Sequence, residues 1–425
     1  MTRRAGASCT RPLFLSDETL MSLSMKLRIA SLAGLLLSPL AQADFSIPGF
    51  ELVHTVPVDT TLDAADLRQT GAVWIELFDG AKSRIDIGQF YAADHPGSVM
   101  DKVIEHLEAA GKRGVKIRFL LEEKGIKLSE AATLERLRAI PNLTFRVLPY
   151  GQLSGGIIHA KYLVVDGKQA FIGSQNFDWR SLEHIHETGL RITDEAVVGQ
   201  VQAIFDQDWQ AQAALADKQP VPLPATGQEP TRVGNYLVAS PQRYNPPGVG
   251  DSQLELPRLL GEAKKQVRVQ LLDYAPLSYG PDRTRPYYAV IDNAVRAAAA
   301  RGVSIKLMVS NWNTDKLELP YLKSLAVLPN VEIKIVTLPE AKQGFIPYAR
   351  VIHSKTMEID GQVAWIGTSN WLGGYLDNSR NLEVVMRSEA MAKRVGQLHA
   401  QLWEGPYARA LNVTDEYPAP HPGQP

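Results

Sequence analysis

The sequence predicts an α/β protein of two similar lobes, each a mixed β-sheet flanked by helices, packed about a pseudo-two-fold axis with the functional site between them. Its 425 residues are enough for two domains, and 45% hydrophobic with 21% charged residues is typical of a globular chain. A phrase of 18 residues occurs twice, as HAKYLVVDGKQAFIGSQN at 159–176 and as HSKTMEIDGQVAWIGTSN at 353–370. Because the copies begin 194 residues apart, they indicate an internal duplication.

The duplication extends beyond this phrase and sets the expected elements. In each half a helical pattern ends at a glycine, Gly114 or Gly302, and an apolar strand pattern follows. Apolar residues at helical spacing, from Val99 to Leu107, predict the first crossover helix. Further strand patterns repeat between the halves, at 81–91 with 263–274 and at 141–149 with 329–339. This alternation of strand and helix predicts a sheet with helices on both faces.

The domain boundaries follow from the same comparison. We expect a first lobe at 44–216 and a second lobe at 232–412. The segment 217–231 contains four prolines and is expected to be the linker, and the polar, proline-rich tail at 413–425 is expected to be disordered.

The first 43 residues predict a targeting segment that precedes the lobes. A short basic stretch leads into a short apolar run, and Ala41-Gln42-Ala43 is typical of a cleavage site. We therefore expect a signal peptide at 25–43, cleaved after Ala43, and interpret 1–24 as an over-extended start. An uncleaved anchor or a buried helix is the alternative, although the run is short for a spanning helix. The signal predicts a periplasmic or secreted bacterial protein.

Cleavage at this point changes the chemistry of the mature chain. It removes Cys9, the only cysteine, which excludes disulfides and thiol chemistry. It also removes five basic and two acidic residues, so the formal net charge changes from −1 to −4. A mildly acidic protein is a poor general binder of duplex DNA, although a local basic groove remains compatible with this charge.

The repeated phrase predicts a cluster of polar side chains at a β-hairpin. A strand at 157–165 places His159 and Lys161 on one face, and Asp166-Gly167 is typical of a tight turn. If Gly167 and Lys168 form the loop, Asp166 pairs with Gln169. We then expect each hairpin to gather a histidine, a lysine, a hydroxyl and an amide, namely His159, Lys161, Ser174 and Asn176 in the first copy and His353, Lys355, Thr368 and Asn370 in the second.

These side chains suit the cleavage of a phosphodiester. Lys161 and Lys355 can neutralise the phosphate oxygens, to which the amides and hydroxyls can donate hydrogen bonds. One imidazole can attack phosphorus while the other, as an imidazolium, protonates the leaving oxygen. An unperturbed histidine pKa of about 6.5 allows both protonation states near neutrality.

Four acidic residues accompany the signatures as supporting residues. Glu187 follows Asn176 by 11 residues and Glu383 follows Asn370 by 13, so either can orient a histidine through its second ring nitrogen. A surface or strand-end ion pair is the alternative for both glutamates. Asp166 and Asp360 precede a glycine at the turns, which favours a structural role.

The paired signatures resemble those of the phospholipase D superfamily, over about 50–407. The segments GSQNFDWRSLEHIHETGL at 173–190 and GTSNWLGGYLDNSRNLEVV at 367–385 are similar to one subgroup, which contains the animal lysosomal phospholipase D-like 5′ exonucleases and the poxvirus envelope and nicking proteins. The resemblance implies a phosphohistidine intermediate and neither metal nor cofactor. It implies His159 as the nucleophile and His353 as the general acid, with the reverse order open. Asp360 departs from the animal members, whose second copy is degraded at this position.

The sequence is less specific about the other histidines, the tryptophans and the long insert near the signatures. We expect His184 and His186 to lie on the surface, with lining of the site or a metal site with Glu187 as alternatives. Core packing is the expectation for Trp179, Trp365 and Trp371, with base stacking as the alternative. The insert YAPLSYGPDRTRPYY at 274–288 is either a solvated loop or a source of substrate contacts through Arg283, Arg285, Tyr287 and Tyr288.

Three functions remain in competition at this point. The first is an enzyme that cleaves single-stranded nucleic acid, the second is an enzyme on phospholipids, and the third is a non-catalytic phosphate-binding or envelope-assembly protein. The complete histidine, lysine and asparagine sets favour a secreted phosphodiesterase. Because one chain carries both signatures, a monomer suffices for one site, and no obligate protein partner is expected.

Overall fold

Two nine-stranded mixed β-sheets organise the chain, as the duplication predicts. The computed structural model describes residues 44–225, 230, 232–279 and 284–424, and Asp44–Pro425 forms one compact unit. The expected signal peptide at 25–43, the over-extended start at 1–24 and Arg283 of the insert lie outside the described residues. No helix of the described part is both long and apolar enough to cross a bilayer.

The first sheet contains the strands β1 Ser46–Ile47, β2 Phe50–Thr55, β3 Arg68–Gln69, β4 Arg84–Gln89, β6 Lys116–Glu122, β7 Leu143–Leu148, β8 Tyr162–Val165, β9 Gln169–Gly173 and β11 Glu187–Ile192. Its order is β1-β2-β11-β9-β8-β4-β6-β7, and β3 pairs with β2. Two short strands, β5 Ala92–Ala93 and β10 Phe177–Asp178, form a separate parallel pair.

The second sheet repeats this arrangement with the strands β12 Asn235–Ser240, β13 Gly250–Asp251, β14 Gln266–Gln270, β15 Ser304–Ser310, β16 Val331–Val336, β17 Thr356–Ile359, β18 Val363–Gly367, β19 Asn381–Met386 and β20 Ala408–Ala410. Its order is β13-β12-β19-β18-β17-β14-β15-β16-β20. The seven strands from β2 to β7 in the first sheet therefore have counterparts, in the same order, from β12 to β16 in the second. The predicted α/β fold of two duplicated lobes is confirmed.

The helices of the described residues are α1 Thr70–Gly80, α2 Val99–Lys112, α3 Ala131–Arg138, α4 Gly151–Ser154, α5 Trp179–Glu183, α6 Glu195–Ala216, α7 Ser252–Glu262, α8 Val290–Ala300, α9 Leu319–Ala326 and α10 Glu389–Glu404. The predicted crossover helix is α2, which buries Val103, Ile104 and Leu107. Gly114 and Gly302 follow α2 and α8 with φ of 91° and 88°, a conformation that glycine adopts without steric cost.

The largest hydrophobic cluster joins the two lobes. It contains Ile172 and Leu190 from the first sheet, Ile366 and Val384 from the second, and residues of α6 and α10. Two further clusters cover the opposite faces of the two sheets. Because apolar burial stabilises by about 25 cal/mol per Å², this shared core holds the lobes in a fixed relation around the site.

The hairpin register differs from the prediction by one residue in both copies. Val165 pairs with Gln169, and Ile359 pairs with Val363, so each loop has three residues. Asp166 leaves the strand because its carboxylate accepts hydrogen bonds from the backbone of Lys82, Ser83 and Arg84. A two-residue loop would have put Lys161 opposite Ser174 and Lys355 opposite Thr368. Lys161 instead lies opposite Gly173, and Lys355 lies opposite Gly367.

The C-terminal tail packs on the second lobe, at odds with the expected disorder. Tyr417 lies against the core of this lobe, and the Pro418 carbonyl accepts a hydrogen bond from the Thr314 hydroxyl at 2.8 Å. Farther along, the Pro422 carbonyl accepts from the Tyr348 backbone N–H at 2.7 Å. These contacts hold the described part of the tail along the lobe.

Candidate active site

Each signature histidine is held by backbone from the other lobe. The N–H groups of His159 and Ala160 donate to the Arg380 carbonyl, at 3.0 and 2.9 Å. In the mirror arrangement, the N–H groups of His353 and Ser354 donate to the His186 carbonyl, at 2.8 and 3.2 Å. The two histidine segments therefore meet at the pseudo-two-fold axis, and each depends on the opposite lobe for its position.

The side chain next to each of these carbonyls orients the same histidine. Asn381 Oδ1 lies 3.1 Å from His159 Nδ1, and Glu187 Oε2 lies 2.8 Å from His353 Nδ1. Asn381 and Glu187 are equivalent residues, because each follows the asparagine of its signature by 11 positions. The site is thus symmetric in geometry but asymmetric in charge, with an amide behind one histidine and a carboxylate behind the other.

The role expected for Glu383 is not what the structure shows. Its carboxylate accepts hydrogen bonds from the hydroxyls of Ser252 and Ser369 and contacts neither histidine. Burial raises the pKa of Glu383 to about 7, with the serine hydrogen bonds opposing this shift. The second orienting residue is Asn381, two positions earlier.

Lys161 and Lys355 are both almost fully buried at the base of the site. Each ammonium donates to the carbonyl of the histidine two residues before it, with 2.5 Å between Lys355 Nζ and the His353 oxygen. Burial lowers the pKa of Lys161 well below its ordinary value and that of Lys355 to about 7, with Glu187 opposing the shift in both. A bound anion would raise both pKa values again and compensate the cost of burying the two charges.

Asn176 and Asn370 line the cleft together with the two histidines. The side-chain oxygen of each is buried and has no hydrogen-bond partner among the described residues. A buried polar group without a partner costs about 1–3 kcal/mol, which a bound polar ligand can recover. Both asparagines therefore line the cleft with an oxygen that can accept from water or a ligand hydroxyl, and their amide nitrogens are the groups that can donate to a phosphate.

The signature hydroxyls have a different position from the one expected. Ser174 exchanges hydrogen bonds with the Thr188 backbone, at 3.1 and 3.2 Å. Thr368 donates to Asn381 Oδ1 at 2.8 Å and accepts from the Leu382 N–H. Both hydroxyls hold the strands that carry Glu187 and Asn381, and neither lines the cleft.

Asp166 and Asp360 lie at the hairpin turns and bind backbone N–H groups. Asp360 accepts from the N–H groups of Lys264, Lys265 and Gln266, at 2.7 to 2.8 Å, in the same way as Asp166 in the first lobe. Both residues have a positive φ, of 54° and 55°. They tie each hairpin to the start of β4 or β14, which is the structural role favoured by the sequence.

The histidines open into a cleft of about 530 Å³ between the lobes. Its walls combine aromatic, apolar and charged side chains, including Phe90, Tyr91, Lys127, Leu128, Arg180, Trp312, Tyr348 and Tyr375. The Tyr375 ring lies 4.7 Å from the His159 ring in a T-shaped contact, and the Phe90 ring lies 5.8 Å from it. The cleft is large enough for a phosphodiester with a ring or a short chain on either side.

Burial and charge set different protonation preferences for the two histidines. Burial, followed by the charges of Lys161 and Lys355, lowers the pKa of His159 well below its ordinary value. Burial also lowers the pKa of His353, to about 4, but Glu187 opposes this shift. Burial acts to raise the pKa of Glu187, yet the charge and hydrogen bond of His353 together with the charge of Lys355 and a hydrogen bond from Ser174 outweigh it, and the pKa is lowered. The carboxylate therefore favours an imidazolium at His353 and has no counterpart at His159.

His184 and His186 are buried rather than on the surface. His186 Nδ1 lies 3.0 Å from Gln270 Nε2, and burial lowers the pKa of His186 to about 4. Among the residues that the structure describes, no group of three histidine, cysteine or acidic side chains is arranged to hold a metal ion. His186 supports the site, because its carbonyl holds His353, whereas the His184 ring packs against Trp179 and the His184 carbonyl accepts from the Arg350 N–H.

Trp365 and Trp371 are buried core residues, as expected, while Trp179 is half-buried beside His95 and His184. In the insert, Arg285 pairs with Glu318 at 2.9 Å and its guanidinium lies 4.7 Å from the Tyr279 ring centre. Tyr287 is exposed, and Tyr288 packs against the core of the second lobe. The insert thus combines a solvated part with a part that packs on the lobe.

Several important residues carry no motif in the sequence. Arg380 is fully buried and pairs with Asp208 of α6 through two hydrogen bonds of 2.9 Å. Its guanidinium also donates to the carbonyls of Ser240 and Tyr244 and to Asn245 Oδ1. Glu187 and Asn381 have the same spacing from the asparagines of their signatures, and this equal spacing would have predicted Asn381 as the second orienting residue. The aromatic walls of the cleft have no such signal.

The fold and the site together define a duplicated α/β protein in which each lobe contributes one histidine to a shared cleft. A family model described as "Cardiolipin synthase, PLD-like domain" matches residues 74–209 and 256–403, once in each lobe. The chain therefore belongs to the phospholipase D superfamily.

Similar proteins support this membership and its subgroup. The chain is 30% identical to the 5'-3' exonuclease PLD3 of Xenopus laevis, over 87% of this chain and 82% of the relative. It is 28% identical to the probable phospholipase D F09G2.8 of Caenorhabditis elegans, over 85% and 70%. Among solved structures, the phosphatidylserine synthase of Haemophilus influenzae has a TM-score of 0.56 at 11% identity, covering 80% of this chain and 85% of the other, which supports the fold. The subgroup is that of the animal phospholipase D-like exonucleases.

Proposed function

We propose that this chain is a phosphodiesterase that hydrolyses its substrate in two steps through a phosphohistidine intermediate. The observation that carries the proposal is the pairing of two buried histidines in one cleft with unlike partners, an amide at His159 and a carboxylate at His353. Two histidines with identical surroundings would have the same tendency to hold a proton. The unlike partners support different roles for the two histidines.

In the first step, His159 is the nucleophile. Its Nδ1–H donates to Asn381 Oδ1, which leaves the Nε2 lone pair free to attack phosphorus. The N–P bond forms as the P–O bond to the leaving group breaks, and His353 gives its proton to the leaving oxygen. Glu187 stabilises the imidazolium before this transfer, and the bound phosphate adds negative charge beside the ring.

In the second step, a water molecule replaces the leaving group. His353 is now neutral and accepts a proton from this water as its oxygen attacks phosphorus. The N–P bond breaks, His159 is regenerated and the phosphate monoester leaves. The protons balance, because the one lost to the leaving group is recovered from the water.

The remaining site residues stabilise charge on the phosphoryl group. Lys161 and Lys355 are buried beneath the histidines and neutralise its oxygens, and Asn176 and Asn370 donate hydrogen bonds from the walls. Together the lysines supply the positive charge, and the asparagines the hydrogen-bond donors, that replace the role of a metal ion in other phosphodiesterases. Activity is therefore expected to persist in excess EDTA, and complete loss restored by one divalent ion would overturn these roles.

We propose single-stranded nucleic acid as the substrate. The cleft is walled by flat side chains, Phe90, Tyr91, Trp312 and Tyr375, on which bases can stack. A similar protein of this subgroup is named a 5'-3' exonuclease, which agrees with this choice.

A phospholipid is the second candidate, and one observation favours it. Leu128 and Tyr348 line the mouth of the cleft and are 52% and 58% exposed, so two apolar surfaces face solvent at the entrance. Such residues can contact acyl chains or a lipid surface. A secreted or periplasmic enzyme, as the predicted signal peptide implies, meets both kinds of substrate.

Paired assays of the mature chain test this proposal. One uses 5′-labelled single-stranded oligonucleotides, the other vesicles of phosphatidylcholine and phosphatidylglycerol. Turnover of either by the native chain, lost in His159→Ala, supports a phosphodiesterase and identifies the substrate. Acid-labile labelling of residue 159 during turnover supports the covalent step, whereas labelling of residue 353 reverses the two roles. Phosphate-ester binding without turnover in either assay would favour the non-catalytic alternative.

A further inference from the structure

A second cavity, of about 310 Å³, adjoins the catalytic cleft on the His159 side. Its lining includes Lys124, Ile157, Tyr279, Tyr375, Asn378 and Ser379, and we call it the Lys124 pocket. Ile157 and Tyr375 line both cavities. Because the Tyr375 ring also contacts the His159 ring, the pocket begins one aromatic ring away from the nucleophile.

Lys124 provides a positive charge at this pocket. Its side chain is exposed, and no carboxylate among the described residues lies within ion-pair distance of its ammonium. The backbone N–H of Lys124 donates to Glu122 Oε1 at 3.1 Å, while Glu122 Oε2 accepts from the Ile158 N–H at 2.7 Å. Glu122 therefore fixes the base of the lysine next to the segment that carries His159.

The opposite wall is aromatic and partly open to solvent. Tyr279 is 55% exposed, and its ring centre lies 6.0 Å from that of Tyr375. Gly155 and Gly374, which also line the pocket, have φ of 81° and 90° and leave space that side chains would fill. The Asp377 carboxylate is not among the lining residues; it accepts hydrogen bonds from the Gly374 N–H, at 2.5 Å, and from the Asn378 amide. The pocket thus combines one lysine charge with two tyrosine rings.

We propose that the Lys124 pocket binds a second phosphate and the base next to it, on the part of a nucleic-acid strand that stays bonded to phosphorus. In an in-line displacement the leaving group departs opposite the nucleophile, on the His353 side. The retained ester oxygen is equatorial in this geometry and points away from the axis between His159 and the leaving group, so the retained part can turn into a pocket that begins beside the His159 ring. Lysine is suited to phosphate, and tyrosine rings are suited to stacking with bases. This inference rests on the function proposed above.

Chromogenic nucleotides separate this subsite from the chemistry. Thymidine 5′-(p-nitrophenyl phosphate) and thymidine 3′-(p-nitrophenyl phosphate) each retain one nucleoside on phosphorus. A second version of each carries an additional phosphate on the other hydroxyl. In the native chain, the additional phosphate of one isomer is expected to lower KM about fivefold, a size typical of a partly exposed charge pair. The change in kcat is expected to be small, because the leaving group is the same.

Lys124→Ala is expected to abolish this fivefold difference while the simpler nucleotide retains its KM and kcat. Lys124→Arg is expected to preserve the difference. The matched control is Lys116→Ala, which removes the same charge from the other end of β6, roughly 20 Å away at about 3.3 Å per residue. This control is expected to keep the native ratio.

The outcomes also separate this inference from the proposed function. Release of p-nitrophenolate with no effect of the additional phosphate in either isomer, or with an effect that survives Lys124→Ala, overturns the subsite but keeps the enzyme. No release above the level of His159→Ala overturns the proposed function. If Lys124→Ala instead weakens hydrolysis of phosphatidylglycerol vesicles and leaves the nucleotide ratio intact, the pocket serves a lipid and our assignment is wrong.

Discussion

The carboxylate behind His353 offers the sharpest test of the two histidine roles. Glu187→Gln keeps the size of the side chain and an oxygen that accepts from His353 Nδ1, but removes the charge. It also makes the partner of His353 an amide, as Asn381 already is for His159. The change therefore removes the asymmetry in charge and keeps the hydrogen bond with His353, while the new amide nitrogen takes the place of Oε1 and donates to the Ser181 hydroxyl instead of accepting from it.

The size of the effect follows from the geometry. Nδ1 and Oε2 are 2.8 Å apart, and Glu187 is fully buried. Two unit charges about 4 Å apart interact by about 4 kcal/mol at an effective dielectric constant near 20, which corresponds to about three pKa units. Measured effects of one neighbouring charge span about one to three units. We expect the population of the imidazolium at His353, and with it the rate for a poor leaving group, to fall about 100-fold.

The assay compares two substrates that differ in their leaving group. A nucleotide ester with an alkoxide leaving group needs the proton from His353, whereas a p-nitrophenyl ester does not. For Glu187→Gln we expect kcat/KM to fall about 100-fold on the first and less than about fivefold on the second. Rapid-mixing measurements are expected to retain the burst of p-nitrophenolate, because formation of the phosphohistidine needs no proton donor.

Glu383→Gln is the matched control, because Glu383 is an equally buried glutamate that contacts serines rather than a histidine. It is expected to show no dependence on the leaving group. Circular dichroism and the thermal midpoint of each variant establish that the fold is retained. An equal loss on both substrates with Glu187→Gln would refute the assignment of His353 as the acid.

Three further predictions concern pH and stability. Since burial lowers the pKa of Lys355 to about 7, raising the pH through 7 removes its charge, and kcat/KM is expected to fall above that pH; a flat profile to pH 9 would contradict this. Asp208→Asn leaves the buried Arg380 without its carboxylate and is expected to cost about 3–5 kcal/mol of unfolding free energy in denaturant titrations, whereas a cost below about 1 kcal/mol would show that the pair is dispensable. Burial lowers the pKa of His54, His184 and His186 from 6.5 to about 4, so the unfolded chain binds more protons between these values; Tm is expected to fall as the pH falls from about 6.5 to 4, and a constant Tm would oppose this.

The fold and the principal site residues were predictable because the duplication repeats them. His159, Asn176, His353 and Asn370 line one cleft, as their shared spacing indicates. The hairpin register was not predictable from turn preferences alone. It depends on hydrogen bonds from Asp166 to residues 82–84, which are distant in the sequence. A contact of this kind overrides the local preference for a two-residue loop.

The orienting residues were only partly predictable, for a related reason. Glu187 was predicted as an orienting residue because a carboxylate can accept a hydrogen bond from the second ring nitrogen of a histidine. For the second lobe, the same preference for a carboxylate favoured Glu383 over Asn381, although Asn381 has the spacing of Glu187. Arg380 has no counterpart of similar chemistry, since the equivalent residue of the first lobe is His186. Residues that act through their backbone carbonyl leave no side-chain signal in a sequence.

The crossed arrangement explains why both copies of the signature are retained with such different surroundings. Each lobe supplies the carbonyl and the side chain that position the histidine of the other lobe, so neither lobe alone holds an oriented histidine. Replacement of a carboxylate by an amide at residue 381 therefore alters His159, 222 positions away, and leaves the histidine of its own lobe unchanged. A duplicated site connected in this way can assign unlike roles to its two histidines by a change at a single position, while the shared core and the Asp208–Arg380 pair hold the geometry constant.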